Sequence, residues 1–198
     1  MEAIAALTGF VLASTLSPGG ATTLATAAGA RYGYRRSLPL ITGLSVGLGL
    51  LALAAVSGLS VLLLAWPGAG LVLKLGGSAY LLWLAWRIGT SGPPRSAARG
   101  DDDRPPGIGG GLLVLVFNPK AWSMTLGAAA SFGDAFSAPW IAAGLISGLL
   151  LAGSALSLSG WCLLGGMLAR VLTRPVQWRW VNAGFGLMLA VSILTIWM

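Results

Sequence analysis

From Ala3 to Ala30, Ser37 to Leu73, Ala135 to Ala169 and Val181 to Met198, the chain carries no aspartate, glutamate, lysine or arginine. A helix needs about 20 apolar residues to cross ~30 Å of hydrocarbon, and only helices and closed barrels satisfy every backbone group there. Several of these stretches suffice for one helix, and two suffice for a pair. The expected fold is all-α: a polytopic membrane protein with six transmembrane helices at 3–29, 38–65, 68–89, 108–131, 139–165 and 178–197. Trp66-Pro67-Gly68 divides the second long run, because proline and glycine end helices and form turns. Ser137 followed by Pro139 has the form of a cap and first-turn proline opening the fifth helix.

Only 9% of the 198 residues are charged, against roughly a quarter in a soluble domain. The net charge of +7 would point to nucleic acid in a soluble chain, but its distribution records membrane orientation instead. The expected partner is the lipid bilayer, with no nucleic acid. With one cysteine, Cys162, and no histidine, disulfide frameworks, dithiol redox chemistry and ordinary zinc sites lack their ligands. No metal, cofactor or catalytic residue is expected, and the chain does not read as an enzyme. Ala25-Thr26-Ala27 resembles a signal-peptide cleavage site, but the segment before it has no basic n-region, starts with Glu2 and exceeds the usual h-region. It reads as a first transmembrane helix.

Ten of the twelve basic residues fall in three places: Arg31, Arg35 and Arg36; Arg87, Arg95, Arg99 and Arg104; and Arg170, Arg174 and Arg179. These are the first, third and fifth loops or their helix ends. The positive-inside rule puts them in the cytoplasm and both termini outside. Thr90 to Gly107, with Pro93-Pro94, Asp101-Asp102-Asp103 and Pro105-Pro106, reads as a linker. The expected organisation is a three-helix repeat over 1–90, a cytoplasmic linker over 91–107 and a second three-helix repeat over 108–198.

A shift of 101 positions sets Pro18 on Pro119, Gly43 on Gly144, Gly47 on Gly148, and Ala27-Ala28 on Ala128-Ala129; six further positions set Gly77 on Gly184. Consecutive three-helix units have an odd number of crossings, so the copies must be inverted in the membrane, as in many secondary transporters. Chance matches among apolar, glycine-rich helices are the alternative. Gly43-x-x-x-Gly47 and Gly144-x-x-x-Gly148 have the spacing that lets helices pack closely, and packing is the default reading for these glycines. Such faces serve equally within one chain or between copies, so a homo-oligomer stays open.

The candidate substrate-binding residues are Ser17, Pro18, Gly19 and Gly20 in the first apolar segment and Asn118, Pro119 and Lys120 in the fourth. Proline frees a backbone carbonyl one turn earlier, and paired broken helices in equivalent halves are the best sequence pointer to a transport site. The helix ends made there offer N–H groups to a carboxylate and C=O groups to an ammonium. Structural kinks are the plainer alternative. Lys120 lies about 12 residues into its helix, close to mid-membrane at ~1.5 Å per residue, where an ionisable group is costly enough to imply function. It reads as a substrate-carboxylate or gating contact. Lys74 is placed to snorkel to the interface, Asp134 to sit in an outer loop, and Arg31, Arg35 and Arg36 to meet lipid phosphate. Trp83, Trp86, Trp178, Trp180 and Trp197 read as interface anchors. No carboxylate falls inside an expected helix, so the usual proton relay is missing.

Ser17-Pro18-Gly19-Gly20, the run from Gly76 to Leu81, and Asn118-Pro119-Lys120-Ala121 resemble the LysE/RhtB family of amino-acid exporters in order and spacing. Tyr80 to Trp86 followed by Thr90-Ser91 is similar to its cysteine/O-acetylserine branch. The resemblance implies an inner-membrane exporter with six helices and a small amino-acid-like substrate. Gly20 stands where many members carry a polar or acidic residue, and Gly47 where some carry an acid. Both departures bear on cation recognition and proton coupling.

The leading functional expectation is a secondary transporter exporting small amino acids or related metabolites by alternating access. An exporter of another small solute or ion is the alternative, as is a non-transport membrane assembly protein. A thiol-disulfide carrier would need a second membrane cysteine, and a metal exporter would want histidines or buried carboxylates.

Overall fold

A computed structural model of the chain describes residues 1–59, 67–90 and 105–197. Regular structure among them is entirely helical: α1 (Glu2–Leu16), α2 (Gly20–Tyr32), α3 (Tyr34–Ala54) continuing into a π turn (Ala55–Leu59), α4 (Pro67–Gly89), α5 (Ile108–Val116), α6 (Pro119–Phe132), α7 (Pro139–Val171) and α8 (Pro175–Trp197). The end of the second expected helix, Trp66, most of the linker, and Arg95, Arg99 and Arg104 lie outside the described residues.

Among the described residues, Tyr34–Gly58 and Pro139–Val171 are long and apolar enough to cross a membrane, and two bent pairs make up to four such segments if each is one span. The first pair, α1 and α2, bends by 56°, and the second, α5 and α6, by 71°. Proline explains both kinks: Pro18 lies in the first break, and Pro119 opens α6. The expected helices at 3–29 and 108–131 are therefore each two helices. Pro139 opens α7 as expected, but the cap position falls on Ala138 and no side chain bonds there, so Ser137 is not the cap. At Gly58 the π turn takes φ 99°, a left-handed conformation that glycine adopts without steric cost.

Lipid is as apolar as a leucine side chain, so helices in it are held by close contact rather than by exclusion of water. Three crossings are built on glycine. At α2 and α7, a Cβ on Gly29 would stand 1.9 Å from the Cys162 carbonyl oxygen, and one on Gly165 would stand 1.9 Å from that of Thr26. At α3 and α5, a Cβ on Gly43 would stand 2.2 Å from the Ile108 carbonyl oxygen and one on Gly111 2.7 Å from that of Leu40, while α4 and α8 cross at Gly89 and Gly186. Gly47 is close-packed against Leu115, but a Cβ on Gly144 or Gly148 would meet nothing within 4 Å among the described residues. Packing within the chain thus explains the first glycine pair and not the second. Leu7, Leu40, Leu44, Leu81, Ile146, Leu150 and Leu189, drawn from five helices, fill the centre.

The tryptophans divide. Trp83, Trp86 and Trp180 are exposed, as anchors would be. Trp178 is buried, and its indole N–H donates to the Leu172 carbonyl at 2.9 Å, closing the end of α7. The side chains of Trp197 and Lys74 are not among those described.

Candidate functional site

The first break leaves carbonyls that need donors. Pro18 has no N–H for the Ser14 carbonyl four residues earlier, and the Ser17 hydroxyl donates to it at 2.9 Å. The Thr15 carbonyl receives the Ser157 hydroxyl from α7 at 2.7 Å. α2 then starts from Gly19, which has no capping side chain. Thr22 substitutes: its Oγ1 accepts the Gly19 N–H at 2.7 Å and donates to the Gly19 carbonyl at 2.9 Å.

At the second break, α5 ends on Val116, whose carbonyl accepts the Trp122 indole N–H at 2.7 Å. The Leu115 carbonyl, denied its donor by Pro119, takes the Asn118 N–H at 3.0 Å. Asn118 is a true N-cap: its Oδ1 accepts the Lys120 N–H at 3.1 Å, with Pro119 at the first helical position. The Asn118 side chain is buried.

The two breaks meet through Lys120. Its half-buried ammonium donates to the Ser17 carbonyl, and more weakly at 3.4 Å to that of Pro18. The lysine stem crosses over Gly19, where a Cβ would come within 2.9 Å of Lys120 Cδ. A cation in the first turn of α6 opposes that helix's own dipole, whereas the carbonyl end of α1 attracts it. Its stabilisation therefore comes from the other half of the chain.

Beside this junction lies a cavity of ≈ 40 Å³, lined by Ser14, Thr15, Thr22, Asn118, Lys120 and Ser154 together with Leu48, Leu115, Met124 and Leu158. Of the expected site residues, Gly19, Asn118 and Lys120 line it. Ser17 and Pro18 contribute carbonyls to Lys120. Gly20 faces Leu189, Leu81 and the Asn118 amide instead, and Pro119 sets the turn without lining the cavity. The hydroxyls of Ser14, Thr15, Thr22, Ser154 and Ser157 were not singled out by the sequence. Thr15 also borders a larger apolar groove of ≈ 330 Å³ between α1 and α7, which Ser157 lines as well.

The residues of both breaks fall within one long sequence match. Residues 12–194 match the model of the family described as LysE type translocator. The chain belongs to that family. LysE type translocators are transporters of the inner membrane, not enzymes. Among curated proteins the chain is similar to the cysteine/O-acetylserine efflux proteins of Escherichia coli (strain K12) and Shigella sonnei (strain Ss046), 34% identical to each over 83 residues. That match covers 41% of this chain and 42% of each relative, less than half of either. No solved structure matches the chain.

Proposed function

We propose that this LysE type translocator is a secondary exporter of small amino-acid-like zwitterions, with cysteine and O-acetylserine the first substrates to test. The observation that carries the reading is the meeting of two proline breaks: Lys120 of the later segment donates to carbonyls of Ser17 and Pro18 in the earlier one. In this reading Ser17, Pro18, Gly19, Gly20, Asn118, Pro119 and Lys120 form the substrate site, and α1's carbonyl end and the N-terminal ends of α2 and α6 supply opposite partial charges.

The reading includes six spans in two inverted three-helix repeats, 1–90 and 108–198, joined by a cytoplasmic linker at 91–107, with both termini outside. It is supported by the bent pairs at Pro18 and Pro119, and by α4 and α8: each has 23 residues and begins on a proline, and Pro67 to Pro175 and Gly89 to Trp197 both span 108 positions. α3 packs along α7 and α4 along α8, as helices related by a two-fold axis would. Rocking of one half against the other would alternate access to the site.

The test is efflux of labelled cysteine, O-acetylserine, threonine and lysine from overexpressing cells, with Asn118→Ala and Lys120→Ala for comparison. Selective efflux that both variants lose supports the reading. Absence of efflux with the protein present in the membrane rejects an amino-acid exporter and favours another small solute or ion.

A further inference from the structure

We infer that the Lys120 ammonium is the resident occupant of the seat that receives the substrate's amino group, so that export proceeds by exchange of one ammonium for another. The inference rests on the exporter reading of the same site and adds what must leave before a substrate enters.

Space gives the first argument. The cavity of ≈ 40 Å³ beside the lysine is water-sized, since about 10–15 Å³ of such volume holds one water. An amino group bound at the Ser17 and Pro18 carbonyls would take the place that the lysine ammonium now holds. The partners give the second. Lys120 meets two neutral carbonyls, those of Ser17 and Pro18, and no carboxylate among the described residues. An incoming primary ammonium can replace its hydrogen bonds one for one without leaving a buried anion unpaired.

The neighbouring carbonyls give the third argument. Ser14 and Thr15 have dedicated donors in Ser17 and Ser157. Departure of Lys120 therefore uncovers the Ser17 and Pro18 carbonyls alone, which makes the seat specific in position. Finally, the lysine opposes the dipole of its own helix, so nothing in α6 holds it once an ammonium competes. Because Lys120 ties α6 to the end of α1, its release also unlatches the two breaks. The freed ammonium then lies beside the substrate's carboxylate.

The recognition element is thus a free primary amine. Amines lacking a carboxylate should compete for the seat, and carboxylates lacking an amine should not. The chain has only two lysines, Lys74 and Lys120, so protein carrying carbon-13 lysine gives two lysine side-chain NMR signals, assigned with Lys74→Arg. Titrating ethylammonium into the purified protein in detergent should shift the Lys120 signal saturably. Acetate and tetramethylammonium at equal ionic strength should leave it in place. In Lys120→Met the vacant carbonyls should lower the melting temperature, and ethylammonium, not tetramethylammonium, should restore part of the loss.

A Lys120 signal unmoved by ethylammonium, or moved equally by acetate, overturns the exchange. So does Lys120→Met protein on which both cations act alike. Efflux intact with an unmoved signal removes this inference and leaves the exporter reading standing. A saturable shift without efflux of any amino acid keeps the amine seat and removes the exporter reading.

Discussion

The breaks at Pro18 and Pro119 lie 101 residues apart, and they solve the same backbone problem with different chemistry. The first has no capping side chain at Gly19; Thr22 covers the exposed N–H, and two carbonyls remain for a donor from elsewhere. The second is closed by its own Asn118 cap and carries a cation, Lys120, that finds no partner in its own helix. One break offers acceptors and the other a donor. Two identical breaks would each have kept their needs local, whereas these two are tied to one another.

The largest effect should come from breaking that tie. Lys120→Ala should reduce efflux at least tenfold, about 1.4 kcal/mol or more, with the protein still in the membrane on immunoblots of membrane fractions. Normal efflux from this variant would mean that the lysine plays no part in transport. Thr22→Val tests the first break alone. It keeps the shape but leaves the buried Gly19 N–H without its acceptor, which should cost about 1–3 kcal/mol of stability, read as a lowered melting temperature. An unchanged melting temperature would show that Thr22 is not the working substitute for a cap.

Asn118→Ala is the matching test of the second break, where loss of an N-cap typically costs about 1 kcal/mol. If Asn118→Ala proves more harmful to stability than Thr22→Val, the second break and not the first is the fragile one. Efflux should also fall, because the cap fixes the first turn from which Lys120 reaches across to α1.

Much of this was legible in the sequence, because the signals are local. Proline at 18 and 119 breaks a helix whatever surrounds it, and a lysine in an apolar run announces itself. What stayed hidden depends on crossings. Ser154 lines the cavity and Ser157 reaches the Thr15 carbonyl only because α7 passes behind α1. Ser14 and Thr15 donate to their own helix at Phe10 and Val11, both at 2.7 Å, as unremarkable membrane hydroxyls do. Trp178 was misread as an anchor for the same reason: an aromatic near a helix end suits lipid headgroups and an open carbonyl equally well. The glycines are the reverse case. Gly43 and Gly144 have one spacing pattern, and only the neighbouring backbone distinguishes the packed copy from the open one.

The smallest expected effect completes the comparison by using the other lysine as a control for charge. Lys74 lies on α4, outside both breaks, only seven residues from the start of that helix at Pro67, or ~10 Å at 1.5 Å per residue. Lys74→Ala removes the same unit of positive charge as Lys120→Ala and so alters net charge equally. Efflux should fall less than twofold, measured in the same cells at matched membrane abundance. Equal losses from the two variants would show that the protein's overall field, and not the carbonyls of Ser17 and Pro18, is what a lysine serves here. Unequal losses assign the effect to position, which only the lysine bridging the two breaks possesses.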